Sequence, residues 1–241
     1  MIEQSASTVD REESVLWDRA RVMLDMAGPA AAEDLLRQLL SIQPAHSGAN
    51  LALGQWWLEQ GKSEGEALLE RVLDDEDSEW TAHAGEALAE HFRNTGAQER
   101  LKAVRGRLDR YAAALADSRR ERSVVTAGDR FVAHELSSAE LQALQLQLGE
   151  VPDLFAAWLV RKELRHFRRR RLFVLCVRTR PNWFGVSSTE RDTALVNRLI
   201  PQLQLPGQFL IIAPQGGFKS LARKVMTIGG SKVFSANLPS P

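Results

Sequence analysis

Residues 48–77 read GANLALGQWWLEQGKSEGEALLERVLDDED, and their pattern indicates how the front half of the chain folds. Apolar residues recur at helical intervals on both sides of Gly61: Leu51, Leu53, Trp57, Ala67, Leu68 and Val72. Such stripes are typical of amphipathic helices that pack on one side. Because glycine adopts the positive φ that ends many helices, the stretch predicts two helices joined by a turn at Gly61.

The same order of helix, glycine turn and helix occurs before and after this stretch. Residues 15–44 turn at Gly28 and residues 84–111 turn at Gly96, so the turn glycines lie 33 and 35 residues apart. Pro44 is predicted to end the second helix of the first unit, because proline cannot continue a helix. One pair of helices cannot bury its own apolar stripes, so we expect successive pairs to stack into a short solenoid.

These repeats resemble the tetratricopeptide repeat family over residues 14–112. The matching features are aromatic residues, a Leu-Gly pair, turn glycines and a closing proline: Trp17, Gly28, Pro44, Leu53, Gly54, Trp57 and Gly61. Two features depart from the family pattern. Ala67 lies one position beyond the place of the family's small residue, and the third unit keeps only Phe92 and Gly96.

The resemblance implies a concave groove lined by the first helix of each pair. Carried over by position, the groove residues are Asp18, Asp25, Gln55, Glu59, His83, Glu86, Glu90, Arg93 and Asn94. Because the set is mostly acidic, the groove would favour a basic peptide through charge complementarity. The alternative interpretation is an ordinary solvated helix face, and the sequence leaves both open.

The charges of the chain are divided between its two halves. Residues 1–100 hold 20 acidic and 8 basic residues, whereas residues 101–241 hold 11 acidic and 23 basic residues. The net charge of zero therefore conceals halves of −12 and +12. This asymmetry predicts either a charged partner or attraction between the halves, within one chain or between self-associated copies.

A change in pattern near residue 123 marks the predicted boundary between two domains. Helix-forming residues continue to Arg122, and the following SVVTAGD breaks the helical pattern. The predicted organisation is a flexible N-terminus, a helical repeat domain, a linker, an α+β domain and a flexible C-terminus: residues 1–13, 14–122, 123–134, 135–235 and 236–241.

The back half is predicted to form a small α+β sandwich in the order α-β-β-α-β-α, close to a permuted ferredoxin-like arrangement, with its helices on one face of the sheet. Ser137 and Glu140 have the spacing of a capping box at the start of a helix over residues 138–149. A later helix is predicted to be capped at Ser187 or Ser188. The other elements are strands over 154–164, 172–180 and 208–214, helices over 187–203 and 218–228, and an edge strand over 231–234.

The back half resembles the carboxy-terminal region of some bacterial membrane zinc peptidases of the CAAX-protease type. The resemblance rests on GDRFVAHELSSAELQALQ (128–145), AAWLVRKEL (156–164) and RLFVLCVR (171–178), and it implies an accessory module of such a peptidase system. The zinc motif H-E-x-x-H is absent from the sequence, because Ser138 stands where a motif beginning at His134 needs its second histidine.

No residue pattern in the sequence indicates catalysis. Because the sequence has no Walker phosphate loop and no recognisable Ser-His-Asp or Cys-His set, we expect no enzyme activity, no metal site and no cofactor. Cys176 lies in an apolar run, where a buried and unreactive thiol is expected. No stretch approaches the roughly 18 to 20 apolar residues of a membrane span, so we expect a cytoplasmic protein, with attachment to the membrane surface left open.

The run RHFRRRRLFVLCV, residues 165–177, places a cluster of arginines before an apolar strand. The cluster connects two predicted strands, so its members belong to a basic hairpin: Arg165, Arg168, Arg169, Arg170 and Arg171. Three interpretations stay open: an ordinary charged hairpin, a dock for an acidic protein surface, and a site for nucleic acid or anionic lipid. The whole sequence favours a non-catalytic protein-protein interaction module or adaptor subunit with a protein or peptide partner.

Overall fold

A computed structural model describes residues 2–75, 77–180 and 189–236 of the chain, with side chains described from residue 12 onward. The protein belongs to the α+β class, as predicted. It divides into two compact units, Met1–Leu115 (unit 1) and Ala116–Pro241 (unit 2). The division falls inside a long helix and lies before residue 122, where the repeat domain was predicted to end.

Unit 1 is built from consecutive helices joined by short turns: α1 (Ile2–Ala27), α2 (Pro29–Ile42), α3 (Ser47–Glu59), α4 (Glu64–Asp74), α5 (Thr81–Asn94) and α6 (Gln98–Ser123). Each of the helices α1 to α4 packs against the next one along the chain. Residues 2–13, which lie before the predicted repeat domain, form the first part of α1. The last residues of α6 extend into unit 2.

The turn glycines adopt the conformation that the sequence predicts. Gly28, Gly61 and Gly96 have φ values of 81°, 70° and 72°, which are accessible to glycine at little cost. After Gly61, the N–H of Lys62 donates to the carbonyl oxygen of Trp57 at 2.8 Å, which satisfies a backbone group at the end of α3. The predicted order of helix, glycine turn and helix is confirmed for all three pairs.

The core of unit 1 consists of apolar residues on the facing sides of its helices. Leu53, Leu88 and Phe92 are fully buried, and each contributes about 1.5–3 kcal/mol through burial. Glycines allow α3 and α4 to approach closely, since a Cβ added to Gly65 would lie 2.5 Å from the carbonyl oxygen of Gly54. The small residues at these positions therefore determine how tightly the two helices pack.

Unit 2 alternates strands and helices along the chain. Its elements are β1 (Phe131–Ala133), α7 (Ser138–Gly149), β2 (Leu154–Lys162), β3 (Leu172–Thr179), α8 (Thr189–Leu199), β4 (Gln208–Ile212), a 3₁₀ turn (Gly216–Phe218), α9 (Lys219–Thr227) and β5 (Lys232–Ser235). The capping box predicted for α7 is present, because Ser137 accepts from the Glu140 N–H and Glu140 accepts from the Ser137 N–H. The predicted caps Ser187 and Ser188 lie outside the described residues.

The described strands form one mixed five-stranded sheet in the order β1-β2-β3-β4, with β5 also paired to β2. β2 and β3 are antiparallel, and Trp158 lies opposite Cys176. β3 and β4 are parallel, because α8 carries the chain back between them. β1 lies within the predicted linker 123–134, so the predicted order α-β-β-α-β-α lacked its first strand.

Both faces of the sheet are covered, which corrects the prediction that the helices lie on one face. One face packs against α7 and α8 and buries Phe173 with Leu144 and Leu195. Neighbouring positions of β3 point to the opposite face, where Val174 packs with Leu221 of α9. Burial on both faces explains why β3 begins as a continuous apolar run without polar alternation.

Candidate functional site

The predicted groove residues lie on the first helix of each pair in unit 1 and are exposed to solvent: Asp18, Asp25, Gln55, Glu59, His83, Glu86, Glu90, Arg93 and Asn94. Two of them, Asp25 and Gln55, line a cavity of about 430 Å³, and the other seven do not. The structure therefore brings part of the predicted set to a concave site. It leaves the rest as exposed side chains along α1, α3 and α5.

The cavity combines apolar and polar side chains, as ligand pockets in proteins usually do. Its apolar lining comes from α1, α3 and the residue before α5: Trp17, Leu24, Leu51, Ala52 and Trp80. Its polar lining carries both signs of charge: Arg21, Asp25, Gln55 and Glu79. Such a cavity can accept one apolar side chain of a peptide and bind the charged groups next to it.

Trp17, which lines the cavity, packs on the first turn of α3. A Cβ added to Gly48 would lie 2.6 Å from its ring, and its centroid is 4.6 Å from that of His46. Nδ1 of His46 accepts a hydrogen bond from the Ala49 N–H at 3.1 Å and so caps α3. Burial lowers the pKa of His46, although Glu13 acts in the opposite direction. These contacts fix one side of the cavity.

Glu33 of α2 binds two tryptophans of α3, a contact that the sequence did not predict. Its carboxylate accepts hydrogen bonds from the indole N–H groups of Trp56 at 3.1 Å and Trp57 at 3.0 Å. These bonds, that from Trp57 most of all, lower the pKa of Glu33, and Lys62 lies 3.8 Å away. The contacts join α2 to α3. The adjacent tryptophans are the signal in the sequence that could have indicated such a contact.

Part of the acidic excess of unit 1 is used in contacts between helices. Glu66 of α4 contacts His91 of α5 at 2.9 Å and pairs with Arg100 of α6 at 2.6 Å. Arg107 of α6 pairs with Glu70 of α4. In contrast, the acidic residues of the predicted groove make no ion pair with the side chains that the structure describes. Their charge remains available to a basic ligand.

The arginine run in unit 2 lies in the connection between β2 and β3, as predicted, and the end of α6 anchors it. The guanidinium of Arg122 donates to the carbonyl oxygens of Arg170 at 2.7 Å and Phe167 at 2.9 Å. The backbone N–H of Arg165 donates to the carboxylate of Glu121 at 3.0 Å. Phe167 is buried with φ at +51°, a strained conformation for a bulky residue, so these contacts hold an unusual backbone in place.

The structure separates the arginines of the predicted basic hairpin. Arg171 is half-buried and pairs with Glu140 of α7 at 2.9 Å. The guanidinium of Arg170 lies 4.8 Å from the centroid of the Phe167 ring. Arg165 and Arg168 line a cleft of about 1,020 Å³ within unit 2. The run is therefore not one uniform basic surface, because some of its members have structural partners.

Two lysines that sequence reasoning missed shape this cleft. Lys162 of β2 is 4% exposed, and its Nζ donates to the carbonyl oxygens of Glu121 at 2.7 Å and Val124 at 2.8 Å and pairs with Asp129 at 3.1 Å. A cation at the end of α6 also complements the helix dipole. Lys224 of α9 donates to the carbonyl oxygens of Ala127 and Asp129. The segment 124–130, which is irregular, is thereby held by side chains of β2 and α9.

The side chains of His134 and Glu135 have partners within the protein, and Cys176 is buried. Nδ1 of His134 accepts from the Leu136 N–H at 3.0 Å, burial lowers the pKa of His134, and Glu135 pairs with Arg161 at 2.8 Å. Cys176 is fully buried, as predicted, and burial raises the pKa of its thiol to about 12, which disfavours the reactive thiolate. Within residues 2–75, 77–180 and 189–236, no group of His, Cys, Asp and Glu could hold a metal ion.

In the described part of the chain, no helix has both the length and the apolar character that a membrane span requires. No protein-family model, no curated protein and no solved structure matches the chain at a significant level.

Proposed function

We propose that unit 1 is a tetratricopeptide-like solenoid and that the protein is a non-catalytic interaction module, which binds a peptide segment of a partner protein. The observation that carries the proposal is the 430 Å³ cavity between α1 and α3, with tryptophans and charged residues in its lining. Stacked helix pairs commonly bind ligands on such concave surfaces. Aromatic residues in a pocket are also the side chains that most often dominate binding energy.

The chemistry of the cavity specifies the peptide. Trp17 and Trp80 offer apolar surface to one aromatic or aliphatic side chain. Asp25 and Glu79 in the lining, with further unpaired acids along the first helices, favour lysine or arginine beside that anchor. Arg21 adds one cation, which can bind a carboxylate or carbonyl of the same peptide. The expected ligand is thus a basic segment with an apolar anchor residue.

A substitution that fills the cavity tests this function. Ala52→Arg places a long side chain in the cavity, whereas Ala112→Arg makes the same change at an exposed position of α6. Partners captured from a lysate by the wild-type protein are identified by mass spectrometry, and their basic segments are synthesised as peptides. We expect these peptides to bind wild type and Ala112→Arg alike and to bind Ala52→Arg at least about tenfold more weakly.

Circular dichroism verifies that both variants keep the helical content of the wild type. Peptides that bind all three proteins equally would show that the cavity is not the binding site. Binding that depends on the basic residues of the peptide but not on its apolar residue would show that the exposed acids act alone.

A further inference from the structure

The cleft beside the hairpin of unit 2 is a candidate site that is separate from the groove of unit 1. It has a volume of about 1,020 Å³ and lies between the end of α6, the segment 124–130, the end of β2 and the first residues of the hairpin. Small-molecule and cofactor sites typically have volumes of about 300–1,000 Å³. The cleft is therefore large enough for an organic ligand of ordinary size.

The carboxylates in the cleft are mostly bound within the protein. Asp117 pairs with Arg120 at 2.6 Å, Glu121 accepts from the backbone N–H of Arg165, and Asp129 pairs with the buried Lys162. These contacts use three of the four carboxylates that line the cleft.

Three of the four arginines that line the cleft have no such partners, and Arg120 is the exception. The guanidinium groups of Arg130, Arg165 and Arg168 are exposed, and none makes an ion pair or a hydrogen bond with the residues that the structure describes. Among the carboxylates that line the cleft, only that of Glu163 is likewise exposed and makes no ion pair or hydrogen bond with the described residues. Unpaired cations therefore exceed unpaired anions, so the cleft attracts negative charge.

Contacts within the protein hold the backbone that carries these arginines in place. The carbonyl oxygen of Arg130 accepts from the Glu163 N–H at 3.0 Å, which joins the segment before β1 to the residue after β2. Arg165 is fixed through Glu121, and Arg122 binds the carbonyl oxygens on either side of Arg168 and Arg169. A site whose backbone is already ordered loses less entropy when a ligand binds.

We propose that this cleft binds a ligand with two or more linked phosphate groups. The planar guanidinium group matches phosphate with two parallel hydrogen bonds, and three arginines from two segments can bind more than one phosphate at once. The volume of the cleft exceeds the needs of a single phosphate, and the exposed Val124 in its lining offers apolar surface for an organic part. A nucleoside polyphosphate and an inorganic polyphosphate share this chemistry.

Isothermal titration calorimetry at low ionic strength tests the site, with inorganic tripolyphosphate and ATP as probes. We expect the wild-type protein to bind tripolyphosphate. The triple variant Arg130→Gln, Arg165→Gln and Arg168→Gln should bind at least about tenfold more weakly, because it loses the charge-assisted hydrogen bonds. The matched control Arg119→Gln, Arg198→Gln and Arg223→Gln removes the same charge from exposed positions outside the cleft and should bind within about twofold of wild type.

A second variant separates loss of binding from loss of structure. Glu163→Gln removes the unpaired carboxylate from the cleft and should tighten tripolyphosphate binding, which misfolding cannot do. Equal affinities for ATP and tripolyphosphate would assign the site to the phosphate chain, and tighter binding of ATP would add a contact to the nucleoside. No binding by the wild type, or an equal loss in both triple variants, would overturn the proposal. Duplex DNA that binds more tightly than either probe and responds equally to both variants would indicate a diffuse basic surface instead.

Discussion

Charged side chains stabilise unit 1 and unit 2 through different kinds of contact. In unit 1 they bind other side chains on neighbouring helices, as Glu66 binds Arg100. Unit 2 has ion pairs as well, such as that of Arg171 with Glu140. In addition, its cations bind backbone carbonyl oxygens, as Lys162, Lys224 and Arg122 do. The first kind of contact joins regular elements, whereas the second kind holds irregular segments.

The difference follows from where each unit leaves backbone groups without partners. Helices satisfy most of their own N–H and C=O groups, so unit 1 needs few side-chain donors for its backbone. The irregular segments 124–130 and 163–171 of unit 2 expose carbonyl oxygens that a regular element would have paired. Lysine and arginine carry only donors and therefore suit these positions. Loss of one such cation should therefore lower the unfolding free energy of unit 2 more than loss of one ion pair lowers that of unit 1.

Lys162→Met is expected to have the largest effect. It leaves the carbonyl oxygens of Glu121 and Val124 without a donor and removes the cation beside Asp129. Since a hydrogen bond that involves a charged group contributes about 1.5–3 kcal/mol and both bonds are partly buried, unit 2 should lose about 3 kcal/mol of unfolding free energy. Urea unfolding combined with hydrogen exchange of β1 and β2 measures the loss.

Lys102→Met on α6 of unit 1 is the matched control. Lys102 is exposed, so its replacement should change the unfolding free energy by less than about 0.5 kcal/mol. Equal effects of the two substitutions would show that the contacts of Lys162 with carbonyl oxygens do not stabilise unit 2.

Arg122→Gln should release the hairpin while leaving most of unit 2 folded. The carbonyl oxygens of Phe167 and Arg170 lose their donor, and the strained backbone of Phe167 can relax. The free energy needed to open the hairpin should fall by about 1–3 kcal/mol. Trypsin should therefore cleave the arginine run at least about fivefold faster than in wild type. Arg119→Gln, at an exposed position of the same helix, should leave the rate unchanged, and equal rates in both variants would show that Arg122 does not anchor the hairpin.

The elements that were predicted correctly are specified by residues that lie close together in the chain. The helix turns at Gly28, Gly61 and Gly96 and the capping box of α7 depend on residues close together in the chain. β1 was missed because it has three residues and exists through its pairing with β2. The position of α9 was missed for a similar reason, since an amphipathic pattern does not specify which face of a sheet a helix covers.

The candidate sites were predictable to a smaller degree. Position in the repeat pattern identified Asp25 and Gln55, but the tryptophans Trp17 and Trp80 enter the cavity through packing of separate helices. Lys162 was missed because its acceptors are carbonyl oxygens about 40 residues earlier in the chain, and backbone groups leave no mark in a sequence. Such contacts become visible only when the fold is known.

Acid should weaken a histidine contact in each unit. Nδ1 of His46 accepts from Ala49 in unit 1 and Nδ1 of His134 accepts from Leu136 in unit 2, and burial lowers both pKa values. The folded state therefore binds a proton less readily than the unfolded chain, whose histidines have a pKa of about 6.5. The stability from each contact is complete above this pH and is lost as the pH falls through the folded pKa.

Asparagine is a substitute that accepts the same backbone hydrogen bond without titrating in this range. Between pH 7.5 and pH 5, wild type should lose more hydrogen-exchange protection in the first turn of α3 than His46→Asn does, and more near residue 136 than His134→Asn does. Parallel losses in wild type and variants would assign the acid effect to other groups.

The smallest effect is expected for Glu33→Gln, because the carboxylate lies near the surface of unit 1 and the amide keeps one acceptor oxygen. One of the two indole N–H groups, from Trp56 or Trp57, then faces an amide donor. Since the pKa of Glu33 is lowered below 4.5 in the folded state, its contribution is complete above that pH and is lost as the pH falls through the folded pKa. Wild type should therefore have a slightly higher Tm than Glu33→Gln at pH 7, and this difference should shrink at pH 3.5. The exposed, unpaired Glu86→Gln should show no such change, so a similar pH response in both variants would mean that the indole bonds do not stabilise unit 1.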